Sequence, residues 1–426
     1  MRFMKYQLDD KPRTFPMLMY GLQWFSIAVP SLLIIGNVVA VLQGRGVTDQ
    51  IMYMQKLFAV CGLVMFVQVL WGHRLPLIVG PASVLLLGIV AGTGSEAAIY
   101  TAIGIGGTCI ALLAFSGGLG KIQKIFTTRI VVVILVLVAV TLSPLILRLS
   151  MGETGNSAGN LAFALLLALI MLLGNKWLAG VWKSMVVLLG LVLGSFAYFS
   201  LAGWPGSLPA VLPWVQTGSL FLSSLVWRPE FDLPTLLAFF FSFIALMINE
   251  LGSIQGVGAI LGANKMPERS KKGMGITGLG NMLAGFFGVI GQIDYSMSPG
   301  VIAATQCASR YPLVLAGLLL VLCSLVPDMI GFMSLIPAVV MGAALLYVMS
   351  AQLAASLQML VREKGITDFY SGVTVAFPVM LSILIAFLPP EVVAQIPAIA
   401  RPILGNGFIM GCIAVLFLEH TLNRQH

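Results

Sequence analysis

The chain has 426 residues, of which 59% are hydrophobic and 9% charged, with a mean hydropathy of +1.02. That apolar share exceeds the range of soluble globular domains and points to a polytopic membrane protein. The net charge of +8 does not indicate a nucleic-acid partner, because the basic residues sit in short clusters between apolar runs and not on one soluble face.

In chain order, at about 20 apolar residues per spanning helix, the sequence predicts an all-α membrane protein with fourteen transmembrane segments. The first seven cover 15–41, 51–71, 75–91, 97–115, 130–147, 161–178 and 185–202. After a loop at 203–232 carrying Pro205, Pro209, Pro213 and Pro229 come 233–261, 274–288, 289–308, 312–326, 330–350, 370–388 and 399–418. The first run is too long for a cleavable signal peptide and lacks a clear small-residue cleavage site. The five cysteines, Cys61, Cys109, Cys307, Cys323 and Cys412, stand singly in apolar runs without CxxC spacing, as small core residues do.

With the N-terminus inside, one side collects clusters such as Lys121, Lys124 and Arg129, or Lys265, Arg269, Lys271 and Lys272. The other keeps Arg45, Arg148, Arg228 and Arg401, with Lys56 near an outer helix end. This asymmetry follows the positive-inside rule and predicts a cell (inner) membrane protein with both termini cytoplasmic.

Seven segments precede the proline-bearing loop and seven follow it. Because seven is odd, the second half runs inverted, and the third segment of each half should correspond. Segment 3 is broken at Gly80-Pro81, and segment 10 at Ser298-Pro299-Gly300. Segment 10 also carries Asp294 and the hydroxyls of Ser296, Ser298 and Thr305, which a lipid-facing helix has little use for. Each is expected to be a short extended strip followed by a half-helix, the second beginning at Pro299, with the exposed backbone facing a cavity beside segment 8.

The order NELGSIQGVG at 249–258, a basic loop, AGFFG at 284–288, then Gly300 and Thr305, resembles the nucleobase-ascorbate transporter family, the uracil and xanthine permeases. GLQWF in segment 1, GPAS in segment 3 and LPPEVVAQIPAIARPILGNGFIMG at 388–411 are similar to its bacterial purine-permease branch. The resemblance implies a core of segments 1–4 and 8–11 (1–129 and 233–329) and a gate of segments 5–7 and 12–14 (130–232 and 330–426). It also implies a substrate between segments 3, 8 and 10, proton symport, and a homodimer through the gate helices.

Several family positions hold different residues here. Met297 and Ser298 stand where segment 10 has an acidic or amide residue and asparagine; Pro81 and Ala82 replace paired serines, and Ser83 an aromatic. The segment 8 glutamate falls on Asn249, with Glu250 displaced by one, and adjacent helix residues point about 100° apart. Either the helix turns Glu250 in, or Asn249 meets the substrate and Glu250 acts elsewhere.

The candidate substrate-binding set is therefore Asn249, Glu250, Ser253, Met297, Ser298, Gly300, Ala82 and Ser83. Asn249 and Ser253 are four apart and can present an amide and a hydroxyl to a planar ring. Among fifteen aspartates and glutamates, only Glu250 and Asp294 fall inside the core segments, which makes them the candidates for proton coupling. His73, His420 and His426 lie at or beyond segment ends, so the sequence places no histidine in the core and predicts no metal and no cofactor. Gly104, Gly106, Gly107, Gly252, Gly256 and Gly258 read as close-packing positions.

The reading reached is a secondary-active importer of a nucleobase, a purine such as xanthine, uric acid or guanine before uracil, coupled to protons. Two alternatives use the same residues: a small-anion transporter holding its ion at the half-helix N-termini, and a non-transporting intramembrane binding protein. A third reading, an intramembrane enzyme, is set aside in favour of a non-enzyme, because the sequence offers no HExxH, Walker loop, core serine–histidine pair or metal-ligand cluster.

Overall fold

The computed structural model describes residues 4–92, 94–119, 127–152, 156–204, 225–295, 298–397 and 400–422. Met297 and most of the proline-bearing loop lie outside the described residues. The first half runs α1 (Thr14–Leu42), α2 (Val47–Leu70), β1 (Ile78–Pro81), α3 (Leu85–Ala91), α4 (Glu96–Phe115), α5 (Thr128–Thr141), α6 (Ser143–Met151), α7 (Ser157–Trp177), α8 (Gly180–Ser184) and α9 (Val186–Ala202). The second runs α10 (Leu233–Leu261), α11 (Met266–Phe287), β2 (Gln292–Tyr295), α12 (Ser298–Thr305), α13 (Tyr311–Ser324), α14 (Pro327–Met333), α15 (Ala338–Arg362), α16 (Phe369–Ala386), α17 (Pro390–Gln395), α18 (Arg401–Leu404) and α19 (Gly407–Leu422).

Among the described residues, eight helical stretches are long and apolar enough to cross a bilayer alone, and nine if the bent pair α13–α14 counts as one. The chain is a multi-pass membrane protein. Its outermost helices show it most plainly: α7 exposes Leu165, Leu166, Leu169 and Ile170, a face suited to lipid. Some sequence-drawn boundaries move. The run at 312–326 turns by 98° into α14, so the next long helix starts at Ala338 and not near 330. The last segment is interrupted between α18 and α19. Cys109 is exposed, contrary to its reading as a core residue, whereas the other four cysteines are buried.

The two broken segments meet. β1 and β2 pair antiparallel in the register Ile78↔Tyr295, Val79↔Asp294, Gly80↔Ile293 and Pro81↔Gln292. Ala82 N donates to Gly291 O (2.8 Å) and the Tyr295 hydroxyl to Pro81 O (2.7 Å), so backbone that has left helical geometry is satisfied by the opposite strip. Gly80 is required by the approach itself: a Cβ there would lie 2.6 Å from the Tyr295 ring.

Around the strips stand two tightly joined helix pairs, α4 with α11 and α2 with α13. Each is sealed by facing glycines. A Cβ on Gly278 would lie 2.4 Å from Ala111 N and one on Gly107 2.6 Å from Gly278 O; a Cβ on Gly62 would lie 2.6 Å from Gly317 O. Without a hydrophobic drive between helices in lipid, such backbone approach supplies the packing. In segment numbers the pairs are 4 with 9 and 2 with 11, and adding seven to the first-half member while subtracting seven from the other exchanges them. Helices α5, α6 and α7 pack on α15, and α16 on α19, as a second group. The residues before α1 also join the core: Lys5 N donates to Gln306 O, Ala308 N to Tyr6 O and Arg310 N to Leu8 O.

Gly278→Val is expected to destabilise the protein by about 1–3 kcal/mol or prevent its assembly, since backbone and not a flexible side chain meets the new atoms. Gly252→Ala, where a Cβ meets open space, should instead gain about 0.5–1 kcal/mol from helix propensity. Thermal unfolding of both variants in detergent checks the contrast.

Candidate functional site

Helix α10 is continuous from Leu233 to Leu261 and packs on α3, β2 and α12; α3 meets its first turns, with Gly88 against Phe239 and Gly92 against Thr235, and β2 reaches it at Glu250. Its regular winding turns the adjacent Asn249 and Glu250 to different faces. Glu250 is fully buried toward α11 and β2, whereas Asn249 is half-buried on another face. That second face continues through Gly252 and Gly256, where an added Cβ would meet nothing within 4 Å, so these glycines leave space instead of closing a helix contact as expected. Gln255 and Ala259 carry it on to a cavity of about 520 Å³, also lined by Gly262, Ser270 and Lys271. Gly258, in contrast, does pack, against Met266.

Glu250 is bound on both oxygens. The Thr277 hydroxyl donates to Oε1 at 2.5 Å and Asp294 N to Oε2 at 2.7 Å. Gln68 Nε2 donates to Thr277 Oγ1 at 2.8 Å and to Gly273 O at 2.9 Å. Thr277 has one hydroxyl proton, so with Gln68 donating in, that proton goes to Glu250 and the chain has one direction. Asn281 bridges the next strip residue: its Oδ1 accepts from Gln292 N and its Nδ2 donates to Gln292 O.

Asp294 is also buried, beside the Glu250 carboxyl. Its carboxylate meets His73, whose Nε2 lies 3.1 Å from Oδ2, both side chains being fully inaccessible. This is a contact by distance; the N–H direction falls outside hydrogen-bond geometry, which leaves His73 Nε2 and both Asp294 oxygens without a hydrogen-bond partner. The expectation that no histidine reaches the core is therefore wrong for His73. A strip advances further per residue than a helix, and the loop before β1 is folded inward, with Arg269 Nη1 donating to His73 O and Arg74 O. The available signal was a histidine directly before a broken segment, with an aspartate in the partner strip.

The remaining candidates divide. Ser298 is buried, and its hydroxyl accepts from Ile78 N (3.1 Å) and donates to Tyr295 O (3.2 Å), clamping the two strips. Ser253 Oγ donates to Asn249 O, back onto its own helix. Ala82 is buried with its N–H committed to Gly291, whereas Ser83 is half-buried just before α3. Gly300 lies in the first turn of α12, whose leading N–H groups have no partner within a helix. Among the described residues no group of three or more His, Cys, Asp or Glu could hold a metal ion.

Residues 15–391 match the xanthine and uracil permease model, described as a permease family. The chain belongs to that family. The permease is 24% identical to the uric acid permease PucJ of Bacillus subtilis (strain 168), covering 89% of this chain and 88% of that one. It is 23% identical to the xanthine permease of the same organism, covering 88% and 86%. The uric acid transporter UacT of Escherichia coli (strain K12) is 23% identical over 72% of this chain and 63% of its own length. Among solved structures, the permease resembles the transmembrane domain of a cyanobacterial bicarbonate transporter, BicA, with a TM-score of 0.65 and 17% identity, covering 90% of this chain and 98% of that one. Murine Slc26a9, an anion transporter in the inward-facing state, gives 0.60 and 16%, covering 99% and 70%. At these identities the structural likeness shows the fold alone.

Thr277→Val removes the donor to Glu250 and the acceptor of Gln68, and is expected to cost about 1–3 kcal/mol for the buried groups left unpaired. Thr277→Ser should recover most of it. Unfolding midpoints of the two variants in detergent read the difference.

Proposed function

We propose that the permease is a secondary-active importer of a nucleobase, a purine before a pyrimidine, driven by protons. The observation that carries this reading is the antiparallel strip pair leading into the half-helices α3 and α12, both of which pack on α10, the helix that carries the half-buried Asn249. A flat heterocycle fits such a place: Asn249 offers an amide, the N–H groups near Ser83 and Gly300 offer donors, and apolar side chains cover the ring faces. The names of the relatives, uric acid and xanthine permeases, favour a purine. Met297 belongs to the same proposed set by its family position.

In this reading the chain crosses the inner membrane fourteen times as two inverted halves, with cytoplasmic termini. The core is 1–129 and 233–329, the gate 130–232 and 330–426, and gate helices join two copies. The exchange of the two glycine-sealed pairs supports the inverted repeat. Glu250 carries the coupling proton: it is a buried carboxyl held between Thr277 and β2, with no lysine or arginine paired to it among the described residues. Gaining or losing that proton changes what α10 can offer β2, and so biases the side to which the site opens.

Competition binding with purified protein is expected to rank xanthine, uric acid and guanine above uracil, with sulfate and bicarbonate inactive; anion binding without any nucleobase binding would favour the anion reading. Gly300→Leu should weaken nucleobase binding by about tenfold or more by filling the approach to α12.

In vesicles under an imposed pH gradient, Glu250→Gln is expected to keep substrate exchange and lose uphill accumulation. Full accumulation in Glu250→Gln together with its loss in Asp294→Asn would move the coupling role to Asp294.

A further inference from the structure

We propose that Glu250 and Asp294 bind one proton between them as a single unit, and that His73 is the positioning residue that decides when the unit releases it. This rests on the proton-coupled reading for its use in transport, but the unit itself is defined by two buried carboxyls on adjoining elements, joined where Asp294 N donates to Glu250 Oε2, and by the 3.1 Å approach of His73 Nε2 to Asp294 Oδ2. Leu75 N donates to His73 Nδ1 at 2.8 Å, so that nitrogen carries no proton and the neutral ring carries its own on Nε2. Nε2 faces Asp294 Oδ2 at 3.1 Å. A second proton on the ring would have to break the bond from Leu75. His73 is thereby held neutral, with its ring N–H beside Asp294, and is not itself the proton carrier.

The titratable and charged groups around the unit come from four elements: Glu250 of α10, Asp294 of β2, Arg269 of α11 and His73 before β1. Arg269 donates to the His73 and Arg74 carbonyl oxygens and so pins the loop, not the carboxyls. Neighbouring Tyr295 is engaged with Pro81 O, and Tyr53, at the far end of the strip, accepts from Ile290 N. Two adjacent buried carboxylates without a cation cannot both ionise at small cost, and one proton between them removes the repulsion. It also supplies the donor that the Asp294 oxygens lack. The proton belongs to the pair and not to either residue. Uptake and release make and break one O–H bond, with the imidazole N–H stabilising the charge left on Asp294.

The pH at which the protonated-carboxyl C=O stretch disappears from infrared difference spectra of the purified protein in lipid measures the unit directly. Nucleobase uptake against pH in proteoliposomes measures its use. A polar N–H 3.1 Å from a buried carboxyl favours the charged form, so His73→Leu is expected to move both midpoints upward, by about one pH unit. His73→Gln, which keeps an N–H donor, should restore most of the shift. In Glu250→Gln, the band remaining on Asp294 should titrate lower than in the parent, and this variant carries the test if His73→Leu does not assemble. An unmoved infrared midpoint in His73→Leu, or an Asp294 band indifferent to Glu250→Gln, overturns the shared proton. If the infrared midpoints move as expected while uptake is independent of pH in every variant, the unit stands and the proton-coupled reading falls.

Discussion

The antiparallel pairing of two four-residue strips is the constraint on which the rest of this permease depends. Backbone that leaves helical geometry inside a membrane must find hydrogen bonds within the protein, because lipid offers none. Each strip is the other's solution. The pairing holds only because Gly80 lets the Tyr295 ring lie against the backbone and because Gly291, where a Cβ would fall 1.9 Å from Asn281 Oδ1, lets the Asn281 amide bridge to Gln292. The half-helices α3 and α12 start where the strips stop, so their positions follow from the same register.

Fixing the strips also separates two chemical environments on different faces of α10. On one side Glu250, Thr277, Gln68, Asp294 and His73 form a closed polar cluster with its hydrogen bonds directed toward Glu250. On the other, Asn249, Gly252 and Gly256 leave an open face. A continuous helix with adjacent polar residues achieves this division through its 100° step alone. The two faces are carried by residues one position apart, and the inward one is tied to β2, whose Asp294 N–H rests on Glu250.

Much of the architecture was legible in the chain. The apolar runs, the basic loops and the two glycine–proline breaks each have a local cause, namely the length of a bilayer, the side of insertion and the loss of a backbone donor at Pro81 and Pro299. Boundaries near α14 and α18 were misread, since apolar composition is unchanged where a helix bends. His73 was misread for a related reason: distance from a segment end measures depth only when the segment is a helix. Gly252 and Gly256 look in sequence like Gly107 and Gly278, yet the first two face open space and the last two meet each other's helices.

By itself the sequence determined that this is a multi-pass membrane protein of the permease family, that it breaks at Gly80-Pro81 and at Ser298-Pro299-Gly300, and which two acids sit among apolar residues. These are properties of composition and local backbone chemistry, which need no partner to be defined. Only the tertiary structure decided that Glu250 turns into the protein while Asn249 stays half-open, that Ser298 is a clamp between strips, and that His73 reaches Asp294. Each depends on a contact between residues far apart in the chain, 44 positions for Glu250 with Asp294 and 220 for Ile78 with Ser298. Such contacts exist only once the two broken segments have found each other.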